Sequence, residues 1–153
     1  MIKLGLILSL LGGVSLENES SQIRGHSHVL IIGEPGTGKS VLLKETATLA
    51  DRSFFTNGIG TSSAGLSVSY FKEGKDWMVE AGALVLADNG ICCIDELTLL
   101  TKKDEKSLLE CMEQQTISSA KASVVGKFNA RTTVIGACNP IRPGQKYDPD
   151  VDL

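Results

Sequence analysis

Eight consecutive residues, Gly33-Glu34-Pro35-Gly36-Thr37-Gly38-Lys39-Ser40, carry the most explicit chemistry in the chain. They complete the pattern G-x-x-x-x-G-K-S/T. The apolar run His28-Val-Leu-Ile-Ile32 precedes them and a helical stretch follows, the context in which that pattern has mechanical meaning. Gly36 and Gly38 let the backbone turn successive N–H groups inward, which makes a nest for anionic oxygens. The helix opening at Lys39, with Ser40 and Val41 in its first turn, adds its positive N-terminal end to the same place. Lys39 is the candidate to reach the terminal phosphates of a nucleotide, and Ser40 the candidate to complete the shell of a Mg²⁺ ion. A glycine-rich turn that happens to hold a lysine is the competing reading, and the full motif in its full context outweighs it.

A second candidate is Ile91-Cys-Cys-Ile-Asp95-Glu96. Four apolar residues make a buried strand, and two acids stand at its C-terminal end, where open α/β sheets bind their ligands. Asp95 would hold Mg²⁺ directly or through water, and Glu96 would orient and deprotonate an attacking water. Alone, an apolar run ending in two acids is weak, because strands often end in charges. Behind a complete phosphate cradle it becomes strong, and it favours hydrolysis over binding alone. The third candidate is Asn139, at the end of the apolar stretch Thr132–Ala137. Its amide could meet a phosphate or the lytic water, and Asn-Pro is equally a common turn.

Positioning these groups requires a sheet. His28–Ile32 reads as a central parallel strand buried on both faces. Lys39–Ala50 reads as a helix, Ser53–Thr56 as a second strand, Ile91–Ile94 as a third and Thr132–Ala137 as a fourth. Asn57–Gly74, alternating as Leu66-Ser-Val68-Ser-Tyr70, has the period of an exposed hairpin. Trp77–Asp88 reads as helical, Lys103–Gln115 as an amphipathic helix with Leu108, Leu109 and Met112 on one side, and Ile117–Arg131 as a second hairpin. The first segment, Met1–Gly13, reads as a buried helix. A secretory leader is the less favoured reading, and the run is too short to span a bilayer. Ser15–Gly25 reads as a polar loop. Strands alternating with helices predict an α/β fold with a mostly parallel sheet flanked by helices.

Composition sets limits around this picture. With 153 residues, 42% hydrophobic and 22% charged, the chain has material for one globular domain with a proper core. A formal charge of −3 gives no global attraction to nucleic acid or membrane, so any such contact needs a local basic element. The four cysteines, Cys92, Cys93, Cys111 and Cys138, make no metal-ligand spacing and read as free thiols in a reducing compartment.

Further along, the blocks become specific. In order these are the phosphate loop, Glu80-Ala-Gly-Ala-Leu-Val-Leu-Ala-Asp88, Cys93-Ile-Asp-Glu96, Met112-Glu-Gln-Gln-Thr-Ile-Ser118, Ala120-Lys-Ala122, Asn129-Ala-Arg131 and Cys138-Asn-Pro140. Together they resemble the minichromosome maintenance (MCM) helicases, AAA+ ATPases that work as hexameric rings around DNA. Arg24-Gly25, Ser27-His28, Gly58-Ile-Gly60, Ser63-Ala-Gly-Leu66 and Cys92-Cys-Ile-Asp-Glu96 look most like the ninth member, which is associated with homologous recombination and repair.

The resemblance implies a P-loop NTPase of the AAA+ type, with ATP and Mg²⁺ bound. Lys39, Ser40, Asp95 and Glu96 would be the Walker A and B residues and Asn139 the first sensor. The Asn57–Lys72 stretch would be one inserted hairpin and Ile117–Arg131 another, both reaching single-stranded DNA in the central channel of a ring shared with other MCM subunits. Lys121, and Lys72 on the first hairpin, would meet the phosphate backbone, although an exposed lysine is ordinarily just solvated. A few such lysines per subunit, repeated round a ring, would give an acidic chain a salt-dependent grip on DNA. Residence in the nucleus is implied, and no membrane.

The family pattern continues after Asn-Pro with an arginine finger, a lid and a winged helix. Here Ile141-Arg-Pro143 and Gly144-Gln-Lys-Tyr-Asp-Pro149 are present, and no finger motif stands before Leu153. The expectation is a partial ATPase domain that binds ATP and hydrolyses it poorly alone, since a finger is worth on the order of 10³–10⁵ in rate. Two alternatives remain: a nucleotide-binding module that docks onto a full ring, and an AAA+ regulator acting on protein.

Overall fold

The computed structural model describes residues 1–18, 21–59, 65–74, 76–121 and 124–140. The Ile141–Pro143 and Gly144–Pro149 segments, Gly60 to Ala64, and Ala122 lie outside that set. The core is a parallel sheet of four strands, β3 (Val29–Ile32), β10 (Thr133–Cys138), β7 (Ile91–Asp95) and β4 (Ser53–Asn57), in that spatial order. This is the expected α/β architecture. All six residues of β10 are buried, as are the first four of β7.

Alternation along these strands builds two cores, one on each face. Cys92, Ile94 and Val134 pack with Leu66, Val68, Leu84, Leu108, Cys111 and Ile117 on one side. Ile91, Cys93, Ile135 and Ala137 pack with Leu6, Ile31 and Leu43 on the other. Helix α2 (Lys39–Leu49) covers the second face, with Leu43 fully buried. Helix α4 (Lys102–Gln114) belongs to the first; Thr101 caps it by accepting from the Asp104 amide. On α4 the inward residues are Leu108, Cys111 and, in part, Met112, whereas Leu109 is exposed. The expected stripe is thus shifted by part of a turn.

Several expectations change. The P-loop strand β3 stands at an edge of the described sheet rather than its centre, so Leu30 is 46% exposed. A continuous apolar run reports hydrophobic surroundings, not which strand is in the middle. The segment Trp77–Asp88 is mainly not helical: Asp76–Ala81 forms strand β6 against β5 (Val68–Glu73), and only Ala83–Leu86 is helix α3. Gly82 decides the break. Its amide donates to the Ser67 carbonyl at 2.6 Å, and any Cβ there would run into that oxygen. The first hairpin is therefore displaced along the chain to Val68–Ala81. It is also not simply exposed, since Leu66, Val68 and Tyr70 are buried on its inner face.

Helix α1 (Ile2–Leu11) buries only Leu6 and Ser9, leaving Ile2, Leu4, Ile7, Leu8 and Leu11 exposed, in contrast to the buried helix expected. The polar stretch after it holds a short ribbon, β1 (Leu16–Asn18) with β2 (Ser21–Ile23), rather than a loop. The second expected hairpin is present as β8 (Thr116–Lys121) and β9 (Val124–Asn129). Among the described residues no helix is long and apolar enough to cross a membrane.

Candidate functional site at the carboxyl edge of the sheet

Parallel register brings the chemical residues together. Ile32 of β3 is level with Cys138, Ile94 with Gly136, and Asn57 with Asp95. The phosphate loop, the acidic pair and Asn139 therefore leave the same edge of the sheet. A cavity of about 490 Å³ opens there, lined by Pro35, Gly36, Gly38–Val41, Asp95, Glu96, Thr98, Leu99, Cys138 and Asn139.

The loop has the form that anion binding needs. Gly36 and Gly38 both take left-handed φ, +80° and +82°, yet a Cβ on either would meet nothing within 4 Å. Glycine is required there for its backbone conformation, not for space. Helix α2 starts without any side-chain cap and with no acid in its first turn, so its positive end is presented to the cavity uncompensated. Lys39 Nζ donates to the carbonyls of Gly33 at 2.6 Å and Glu34 at 2.8 Å, and Thr37 Oγ1 donates to the Glu34 carbonyl at 2.8 Å. Gly33, Glu34 and Thr37 thus shape the loop and hold the lysine. Inward N–H groups, a primary ammonium and the Ser40 hydroxyl make a donor set suited to a polyphosphate, and Ser40 with Asp95 offers hard oxygen ligands for Mg²⁺.

On the opposite wall, Asp95 Oδ1 accepts the Glu96 amide at 3.0 Å. Glu96 itself sits in left-handed backbone, φ 52° and ψ 48°, an unfavourable state for a residue with a side chain. Its surroundings impose it. The Gly58 amide donates to the Asp95 carbonyl at 2.7 Å, and a Cβ on Gly58 would collide with the Glu96 carbonyl. That same carbonyl accepts from Leu99 N at 2.9 Å. From this backbone position Glu96 lines the cavity.

Thr98 and Leu99 were not named from sequence, and Cys138 was named only as a free thiol and within Cys138-Asn-Pro140. Thr98 and Leu99 line the cavity from the turn after the acidic pair, and Cys138 lies beside Lys39, where burial raises its thiol pKa and the ammonium opposes that rise. Gly58, quoted only within Gly58-Ile-Gly60, was not read as a positioning residue because it looks like the start of a loop. The signal was a glycine immediately after the strand that pairs with Asp95. The other thiols are raised by burial, Cys93 to about 11 and Cys111 to about 12, so they stay protonated and inert. No cluster of metal ligands of the Cys/His type exists among the described residues.

Lys72 and Lys121 belong to a different region. Lys72 is exposed on β5, opposite Trp77, and Lys121 ends β8, where only its backbone is described.

The whole chain, residues 1–153, matches the model of the MCM P-loop domain. It is 52% identical over 153 residues to the probable DNA helicase MCM9 of Oryza sativa subsp. indica, and 50% identical to that of Arabidopsis thaliana, over 99% of the chain in each case. It is 44% identical over 151 residues to the DNA replication licensing factor mcm-6 of Caenorhabditis briggsae. The chain spans 22%, 23% and 18% of those relatives, about a fifth of their length. A parallel sheet with a glycine cradle at its carboxyl edge, two antiparallel hairpins and this match over every residue have one reading: the chain belongs to the MCM P-loop domain family.

Proposed function

We propose that this chain binds ATP with Mg²⁺ and hydrolyses it as the motor core of a ring-forming DNA helicase, in nuclear replication or recombinational repair. The supporting observation is the convergence of Gly36, Gly38–Val41, Asp95, Glu96 and Asn139 on one cavity. In this reading the loop amides and Lys39 hold the phosphates. Ser40 and Asp95 hold Mg²⁺, which when bound neutralises charge on the phosphate oxygens. Glu96 takes the proton of the attacking water, and Asn139 orients that water or the terminal phosphate. Lys72 and Lys121 contact the backbone of single-stranded DNA within a ring of MCM subunits.

ATP binding and hydrolysis by the chain, Lys39→Ala and Glu96→Gln, with and without single-stranded DNA, test the reading. Lys39→Ala should weaken ATP by roughly tenfold or more, the worth of charge-assisted hydrogen bonds. Glu96→Gln should keep binding and lose turnover by roughly 10²–10⁴. Equal ATP affinity for wild type and Lys39→Ala would falsify the assignment of the cavity.

A further inference from the structure

Two of the antiparallel ribbons, β5–β6 and β8–β9, are far apart in sequence but are joined in space. Tyr70, on the inner face of β5, is only 6% exposed, and its hydroxyl donates to the Ser119 carbonyl of β8 at 3.1 Å. Directly across from Ser119 on β9 is Gly126. A Cβ there would overlap the Phe128 ring and come within 3.6 Å of the Tyr70 hydroxyl. Ile117 and Phe128, toward the base of the second ribbon, belong to the same core as Leu66 and Val68 at the base of the first. The junction is therefore a packed one with a phenol at its outer end.

Each ribbon is separately fastened at its base. The first is held by the Gly82 amide on the Ser67 carbonyl and by the Leu66 amide on Asp104 Oδ1 at 3.1 Å. The second is held where β9 leaves for β10. Arg131 donates from its backbone amide and Nε to Asp88 Oδ1 at 2.8 and 3.1 Å, and from the guanidinium terminus to Oδ2 at 2.8 Å. The Asn89 amide in turn donates to the Arg131 carbonyl at 2.7 Å. Two-stranded ribbons fixed only at their bases are marginal and swing independently. A part-buried hydrogen bond joins them part-way along, between the bases and the positions proposed to meet nucleic acid. Lys72 and Trp77 pair two residues beyond Tyr70, and Lys121 lies two residues beyond Ser119.

We propose that Tyr70 is a positioning residue that locks the two hairpins into a single arm, so that nucleic acid engaged through one hairpin is felt by both. The nucleic-acid part rests on the function proposed above; the lock itself does not. Because β9 runs through Ala130–Thr132 directly into β10, whose end carries Asn139, the arm also has a continuous backbone connection to the nucleotide cavity.

Amide hydrogen exchange on the complete chain decides both parts, with Tyr70→Phe as the variant because it deletes one hydroxyl and keeps the ring. In the free chain, Tyr70→Phe should raise exchange in β5–β6 and β8–β9 together, by roughly fivefold for one hydrogen bond. Exchange in β7 and β10, and ATP affinity, should not change. A rise in neither hairpin, or in only one, overturns the lock. With an oligothymidylate, the wild type should gain protection in both hairpins. In Lys72→Ala, protection should fall in both, including the ribbon that does not carry the substitution. In Tyr70→Phe, Lys72→Ala should affect β5–β6 alone. If the double variant still loses protection in β8–β9, the arm is coupled by something other than Tyr70 and the proposal fails. If oligothymidylate protects no amide in the wild type, the nucleic-acid reading falls, while the free-chain comparison still decides the lock.

Discussion

The carboxyl edge of the sheet and the two hairpins place functional groups in opposite ways. At the sheet edge, position comes from backbone: strand register, left-handed glycines in the loop, and an acid held in left-handed conformation by Gly58. In the hairpins, position comes from side chains reaching across: Tyr70 to Ser119, Asp104 to Leu66, Arg131 to Asp88. Backbone register is over-determined by a core on both faces, so losing one side chain rarely moves it. The outer parts of the ribbons are covered on one face only, so each such contact carries more of their position there. The cavity groups are thus held chiefly by backbone and the hairpins chiefly by side chains.

Deleting core volume should separate the two regions most sharply. Ile94→Ala, at a fully buried position of β7, should cost about 2–5 kcal/mol in urea unfolding and weaken nucleotide binding with it. Val125→Ala, 81% exposed on β9, should stay within about 0.5 kcal/mol. Comparable losses at the two sites would erase the contrast. Next in size, Gly58→Ala forces a methyl group against the Glu96 carbonyl and should cost about 1–3 kcal/mol by overpacking. Its ATPase turnover should fall further than its ATP affinity, since Glu96 moves and the phosphate loop does not. An unchanged turnover would show that Gly58 does not position Glu96.

Smaller effects come from titration. His28 Nδ1 accepts the Val134 amide at 3.0 Å, which requires a neutral imidazole. Burial, then His26 and Arg24, lower its pKa below the usual value. The folded form therefore prefers the neutral ring, so the contribution is complete above the unfolded pKa of about 6.5 and is lost as pH falls through the lower folded value. His26 is lowered too, by burial and then Arg24, and adds in the same direction. Urea midpoints should drop on acidification from pH 7.5 to 5, by less in His28→Asn, whose amide oxygen keeps the acceptor. An equal drop in both proteins would remove His28 as the cause.

The smallest expected effect is at Asp88. Hydrogen bonds from the Arg131 side chain are the main cause holding its carboxyl below the usual range, and the Arg131 side of the pair is open to solvent. Asp88→Asn should lower stability slightly at pH 7 and more clearly in low salt. Because the folded pKa is depressed, the difference from wild type should vanish as pH falls below about 3.9. Persistence of the gap in acid would mean that the cost is steric.

The phosphate loop, the acidic pair, all four strands of the sheet, helices α2 and α4 and the second hairpin were legible in the amino-acid sequence. Each is a local pattern, in which glycine spacing, an apolar run or a helical period carries the signal over a few residues. The errors fell where a neighbour distant in sequence decides. Asp76–Ala81 has a helical composition, but Val68 and Tyr70 needed a strand partner and Gly82 had no room for a helix, so pairing overrode propensity. The apolar Ile2–Leu11 signalled a helix and not its burial, because exposure depends on what packs against it.

By itself, the sequence marked which residues are the candidates for chemistry, because a phosphate nest and a pair of acids at a strand end need specific residue types at short spacing. Tertiary structure alone decided how those residues are held. It brought Gly58 under Glu96, set β3 at an edge, and placed Tyr70 against Ser119 across 49 positions of chain. Such contacts leave no period or motif to read. They exist only after the chain has closed on itself and excluded the alternatives by packing.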